Sequence, residues 1–193
     1  GDLDGFFTPP ARGGAASSLV VIMHGWGADA SDLADLAYPV SLRFPGAAFF
    51  VPDAPEVCSM NPMGRQWFDL SDLENGPPPA ATVILPCVAD ACKALDLGMD
   101  AVALTGFSQG GMMSLHCGLG TVPAPAAIVS FSGALLKPAA IIDNLAPPAV
   151  MLVHGTDDQV VPFSSMDGAR AVLAARGITA ETLARPGLGH GID

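Results

Sequence analysis

Gly106-Phe107-Ser108-Gln109-Gly110-Gly111 joins two apolar runs of different period. Asp100 to Thr105 has the pattern of a short buried strand, and Met112 to Leu119 continues as an apolar helix. A Gly-x-Ser-x-Gly match alone carries little weight in a chain with 22 glycines. Strand, tight turn and helix together are the context of a nucleophile elbow. Residues flanking a serine in such a turn must lack bulk, so Ser108 is expected to project its hydroxyl from the top of a sheet.

An acid and then a histidine should follow the serine in a fold of this kind. The apolar run Ala149 to Val153 leads into His154-Gly155-Thr156-Asp157-Asp158-Gln159-Val160-Val161-Pro162, which offers two candidate acids at a strand end. Gly187-Leu188-Gly189-His190-Gly191 offers the base, after a last strand from Ile178 to Arg185. Glycines on both sides of His190 let an exposed loop bring the imidazole over the serine.

The chemistry requires these residue types. A serine hydroxyl is a poor nucleophile near neutral pH, so His190 must take its proton during attack and return it to the leaving group. A carboxylate fixes the imidazole tautomer and stabilises the imidazolium. The negative charge that develops on a carbonyl oxygen needs backbone N–H donors already aimed at it. One is the N–H of Gln109, at the start of the helix after the serine. The other is the N–H of Trp26, in the glycine-rich loop His24-Gly25-Trp26-Gly27 that ends the strand-like run from Leu19.

Six blocks in one order carry a resemblance. They are His24-Gly25-Trp26-Gly27-Ala28-Asp29, Val51-Pro52-Asp53-Ala54-Pro55, Gln66-Trp67-Phe68-Asp69, the Ser108 block, the His154 to Pro162 block, and the His190 block. On these the chain resembles the phospholipase/carboxylesterase family of α/β-hydrolases, which includes acyl-protein thioesterases, over nearly its whole length. The resemblance implies Ser108, Asp158 and His190 as a triad, with Asp158 preferred to Asp157 because the family acid stands shortly before the Val-Pro pair. It implies Trp26 and Gln109 as oxyanion donors, and a homodimer as a family-level expectation. Family members continue into a final helix packed on the sheet, whereas this chain begins at Gly1 and ends at Asp193. Trimmed or unobserved ends are therefore expected.

Composition fits a globular enzyme of one domain over residues 1–193, with enough chain for a substantial core. Half the residues are hydrophobic, yet no uninterrupted apolar run reaches the roughly 20 residues of a membrane span, so no integral membrane association is expected. A net charge of −11, with only 8 Lys and Arg, argues against nucleic acid and anionic membrane surfaces as partners. No basic segment followed by an apolar run stands at the start of the sequence, and a trimmed end could have carried a processed leader. Cys58, Cys87, Cys92 and Cys117 form no Cys-x-x-Cys pair and no zinc spacing with the histidines. Buried free thiols in a reducing cytoplasm, with no metal and no cofactor, are the expectation.

Alternating strand and helix signals predict an α/β fold, a mainly parallel central sheet with helices on both faces. Strands are expected near 19–24, 47–52, 101–106, 126–132, 149–154 and 178–184, and helices near 31–38, 82–96, 109–119 and 164–176. Ser31 and Ser164 are expected N-caps and Gly177 a helix stop. Pro86 should kink the second helix or lie in its first turn. Pro77 to Pro79 reads as the end of a loop. His24, His154 and His116 are expected in structural roles.

Residues 56–79 lack clear periodicity but are rich in apolar side chains, which makes them the candidate substrate-facing loop. Met60, Met63, Trp67, Phe68 and Leu70 either wall an acyl-binding groove or pack the loop onto the domain. Methionines suit a pocket accepting varied acyl chains. The function expected is hydrolysis of small-molecule or lipid-like carboxylic esters, and also thioesters, through an acyl-enzyme. Two alternatives remain. An acyltransferase would pass the same acyl group to an alcohol or amine, and a silent acyl-binding module would fail to react with a fluorophosphonate.

Overall fold

In a computed structural model, which describes residues 3–193, the chain alternates strand and helix as expected. In chain order the elements are β1 (Gly5–Thr8), β2 (Ser18–Met23), α1 (Ala30–Ala34), α2 (Ala37–Arg43), β3 (Ala47–Pro52), β4 (Glu56–Val57) and β5 (Arg65–Gln66). Then come α3 (Pro77–Leu95), β6 (Val102–Phe107), α4 (Gln109–Leu119), β7 (Ala127–Phe131), β8 (Ala149–Gly155), α5 (Ser164–Ala175) and β9 (Ala180–Arg185). The central sheet has seven strands in the order β1-β3-β2-β6-β7-β8-β9. All its pairings are parallel except β1 with β3.

β2 shows why the sheet is covered twice. Its run Leu19 to Met23 is continuously apolar, as a strand buried on both faces must be. Leu19, Val21 and Met23 pack with Ile84 and Val88 of α3 and Met113 and Cys117 of α4. Val20 and Ile22 turn the other way, toward Ala30, Leu33 and Ala37 of α1 and α2. Farther along, Ile128, Val150 and Leu152 pack with Met166, Ala169 and Leu173 of α5. On the α1 and α2 side, β7 to β9 border a groove of about 270 Å3 lined by Val129, Phe131, Met151, Val153 and Leu183.

The departures from expectation are local. The expected helix at 31–38 is two short helices, and its cap is Asp29, whose Oδ1 accepts from the Ser31 N–H at 2.8 Å. Ser31 is thus the capped residue. Ser164 begins α5 without a side-chain cap, whereas Gly177 does follow the last turn, at φ 72°. Pro77 to Pro79 are the first turn of α3, where a missing N–H costs nothing, rather than the end of a loop. Pro86 therefore sits inside the helix, beyond its first turn. α3 is long and apolar enough by length and composition to cross a membrane. Its buried residues Ala80, Ala81, Ile84, Val88 and Cys92 recur at helical spacing and belong to the core beside α4.

The chain leaves β2 toward β3 on one side and crosses to β6 on the other. The carboxyl ends of β2 and β6 therefore lie side by side at a topological switch point, where open α/β sheets form their sites. Glycine is needed at this junction. A Cβ on Gly110 would collide with the carbonyl oxygens of Met23 and His24, and one on Gly106 with the Gly110 backbone. Gly110→Ala should therefore cost about 1–3 kcal/mol as overpacking that backbone cannot relieve. Gly168→Ala, on the exposed face of α5 with open space around it, should stabilise by about 0.5–1 kcal/mol. Urea midpoints for the two variants should move in opposite directions, and equal shifts would show that the junction is loose.

Candidate active site

Four strand ends supply the site. Ser108 follows β6 and precedes α4, with φ 55° and ψ −116°, a conformation rare for a residue other than glycine. Its backbone is held from both directions, since the N–H donates to the Phe131 carbonyl at 2.9 Å and the carbonyl accepts from the Met112 N–H at 3.0 Å. The turn therefore fixes where Oγ points.

Oγ of Ser108 lies 3.0 Å from Nε2 of His190, and Nδ1 of that ring lies 2.7 Å from Oδ2 of Asp158. The ring packs against Phe107, centroid to centroid 4.7 Å and tilted by 44°. Its loop is tied to the neighbouring strand end. The Asp157 N–H donates to the Leu188 carbonyl at 3.0 Å, and the Gly187 N–H to Oγ1 of Thr156 at 2.9 Å. Arg185 and Asp193 form a two-pronged ion pair across the same loop.

Asp158 is buried, and its other oxygen, Oδ1, accepts the N–H groups of Val160 and Val161, each at 2.9 Å. Burial works to raise its pKa. Hydrogen bonds from His190, Val160 and Val161 outweigh that, and the carboxyl titrates below the ordinary range. Asp157 is exposed, and its carboxylate accepts only the Thr156 hydroxyl among the described residues, so geometry brings Asp158 rather than Asp157 to the imidazole. His154 braces the same turn, with Nε2 2.9 Å from the Val161 carbonyl and 3.4 Å from Oδ2 of Asp158.

Trp26 follows Gly25 in the loop after β2, and Gln109 follows Ser108. The loop bearing Trp26 approaches closely, since a Cβ built on Gly25 would lie 3.5 Å from that of Ser108. Gln109 is the first residue of α4. Among the described residues, no backbone carbonyl accepts from either N–H. Beneath this loop, burial lowers the pKa of His24. Its neutral ring donates from Nδ1 to the Gly25 carbonyl at 2.7 Å and accepts the Ala54 N–H on Nε2 at 3.0 Å.

The expected substrate loop divides. Trp67 and Phe68 are not groove walls but core, at 1% and 3% exposure. They pack into the apolar cluster of β2, α3 and α4, and hydrogen bonds satisfy the polar groups buried with them. The buried indole N–H of Trp67 donates to the His24 carbonyl at 2.9 Å, and Gln109 satisfies the backbone of both residues. Met60, Met63 and Leu70 are exposed. Asn61, between the two methionines, donates to the Gly27 carbonyl at 2.8 Å, which sets that part of the loop beside Trp26.

Sequence reasoning missed the side chains of Gln66 and Gln109, which make bonds between loop segments. Their signal was faint: a carboxamide inside an apolar block. Among the described residues no cluster of three or more His, Cys, Asp or Glu gathers as metal ligands. The four cysteines are unlinked and buried, and burial pushes the Cys117 thiol up to about 12, far from a nucleophile's range. His116 beside it is partly buried on α4.

The family model described as Phospholipase/Carboxylesterase matches residues 11–193. The chain is similar to the carboxylesterase SOBER1 of Arabidopsis thaliana, at 27% identity over 92% of this chain and 85% of the relative. It is similar to the esterase YpfH of Escherichia coli K12, at 27% identity over 92% and 78%. Among solved structures, the esterase PE8 superposes with a TM-score of 0.92 and 38% identity, covering 99% of this chain and 92% of that one. This chain therefore belongs to the phospholipase/carboxylesterase family of α/β-hydrolases, and it is a serine hydrolase of the carboxylic-ester class.

Proposed function

We propose that the protein hydrolyses carboxylic esters, and thioesters of similar acyl groups, through an acyl-enzyme on Ser108. The observation that carries this reading is the unbroken path from Ser108 through His190 to Asp158, with contacts of 3.0 and 2.7 Å. Oγ attacks the acyl carbonyl carbon as its proton passes to Nε2 of His190. Asp158 holds the proton on Nδ1 and stabilises the imidazolium. The N–H groups of Trp26 and Gln109 receive the oxyanion. Collapse expels the alcohol or thiol, protonated by His190, and leaves the acyl group on Ser108. Water activated by the same imidazole then releases the acid.

Residues 1–193 act as a single domain in this reading, and each step is carried by side chains and backbone donors of the chain itself. Met60 and Met63, exposed beside the Trp26 loop, are the acyl contacts, together with the exposed Leu70. The unlinked thiols support a reducing, cytoplasmic compartment. The test is labelling with a fluorophosphonate, followed by intact mass and peptide mapping, together with turnover of p-nitrophenyl esters of increasing chain length. One adduct at Ser108 and a clear chain-length optimum are expected. An unlabelled, folded protein would leave only the acyl-binding module. Ester products formed with added alcohol, in place of free acid, would make it an acyltransferase.

A further inference from the structure

We propose that the side chains of Gln66 and Gln109 are positioning residues for the oxyanion site, fastening its two backbone donors to one strip of chain, residues 65–68. The inference rests on the reading of the Trp26 and Gln109 N–H groups as those donors.

Gln66, buried at the end of the two-strand ribbon, works on the first donor. Its Oε1 accepts the indole N–H of Trp26 and the Ser59 N–H, both at 3.1 Å, and its Nε2 donates to Glu56 Oε2 at 3.0 Å. The backbone beside it grips the residues after Trp26: the Gly27 N–H donates to the Arg65 carbonyl at 2.8 Å, and the Arg65 N–H to the Ala28 carbonyl at 2.7 Å. Approach is close enough that any Cβ on Gly64 would collide with the Gly27 carbonyl.

Gln109 works on the second donor. It is 1% exposed, and its side chain leaves α4 to bridge the next two residues of the strip. Oε1 accepts the Trp67 N–H at 2.8 Å and Nε2 donates to the Phe68 carbonyl at 2.8 Å. A bond from Trp67 Nε1 to the His24 carbonyl then returns to the first loop.

Each carboxamide thus meets at least one donor with its oxygen and an acceptor with its nitrogen, which fixes both orientations. Trp26 belongs to the loop after β2 and Gln109 to the helix after β6, and the direct pairing of the two strands ends at Met23 and Gly106, before either donor. The strip is bonded to both, so the separation of the donors is set before substrate arrives. Oxyanion stabilisation depends on that preorganisation, because donors that must move at the moment of reaction lose their advantage. A carboxylate in either place would face the Glu56 carboxylate or the Phe68 carbonyl, so Gln is required where Glu has the same size.

The experiment compares Gln66→Met and Gln109→Met with wild type, using an alkyl trifluoromethyl ketone and the matching unfluorinated ketone as inhibitors. Ser108 Oγ bonds to the fluorinated ketone's carbonyl carbon, its proton passes to His190, and the carbonyl oxygen becomes an oxyanion. The unfluorinated ketone stays largely uncharged. Misplaced donors should lower kcat by about 10- to 100-fold and leave KM within about threefold. Affinity for the fluorinated ketone should fall by the same factor as kcat, with the unfluorinated ketone unaffected.

Equal loss for both ketones, or a lower melting temperature with their affinity ratio unchanged, would overturn the proposal and leave both glutamines as packing. Should a buried methionine prevent folding, Trp26→Phe breaks the Gln66 bond from its half-buried partner. Combined with Gln66→Met it should cost no more than either change alone, whereas losses that multiply would overturn the link. Fluorophosphonate labelling of wild type separates the two layers of argument. Without an adduct at Ser108 the triad reading fails, and with an adduct but unmoved ketone ratios only the positioning role fails.

Discussion

Replacing Ser108 by alanine is expected to lower kcat for p-nitrophenyl butyrate by on the order of 10⁴ to 10⁶ and to leave the protein folded. The Oγ bonds only to His190 among the described residues, so its loss removes one half-buried contact. What holds the turn is backbone: the bonds to Phe131 and Met112 and the close packing of Gly106 and Gly110 do not involve the hydroxyl. Alanine keeps the same Cβ and so carries the same strain at φ 55°. Residual turnover should come from water attacking an ester held at the two N–H groups. Far-UV circular dichroism and a thermal melt check the fold, and initial rates check the chemistry. A variant keeping more than about a tenth of wild-type turnover would place the nucleophile elsewhere.

The parts that were legible in the sequence are those where backbone geometry and chemistry constrain the same few residues. Around Ser108 a buried strand, a turn without bulk and a helix must follow one another between Val102 and Leu119, and each leaves its own mark on composition. The acid loop was legible for a similar reason, as it closes the apolar strand β8, whereas His190 was marked by the glycines around it and by its place after the acid. Choosing between Asp157 and Asp158 was harder, because adjacent residues in a turn differ only in where the turn points them. Asp158 is the one aimed inward, where Val160 and Val161 close the turn on it.

Other features were hidden by physics that has no local signature. β1 is exposed along its length and paired only through backbone bonds, so its sequence shows little of a strand's usual burial pattern. Trp67 and Phe68 left groove wall and core packing both open, because apolar residues in an irregular segment read alike whether they face solvent or core. Their burial rests on packing against α3 and α4 and on hydrogen bonds shared with Gln109, more than forty positions away. The first turn of α3 was mistaken for a loop because proline signals both, and only the residues after it distinguish a helix start.

Asp158→Asn is expected to lower kcat by about 10³- to 10⁴-fold with little change in KM, while Asp157→Asn stays within about threefold of wild type. The loop decides this outcome. In the variant, an amide oxygen must still meet the N–H groups of Val160 and Val161, because turning the amide round would set its NH2 against two donors. The NH2 then faces Nδ1 of His190, which must act as acceptor and give up its proton. The ring is left protonated on Nε2, where it cannot take the proton of Ser108. The same carboxyl links stability to acid. Its pKa is depressed in the folded protein, so its contribution is fully present above the unfolded value of about 3.9 and is lost as pH falls through the lower folded value. Wild type should therefore lose part of its stability margin over the Asn variant below about pH 4, by urea titration in that range. If Asp158→Asn kept turnover within about tenfold and Asp157→Asn did not, the exposed acid would be the partner of His190 and the loop would have to rearrange on binding.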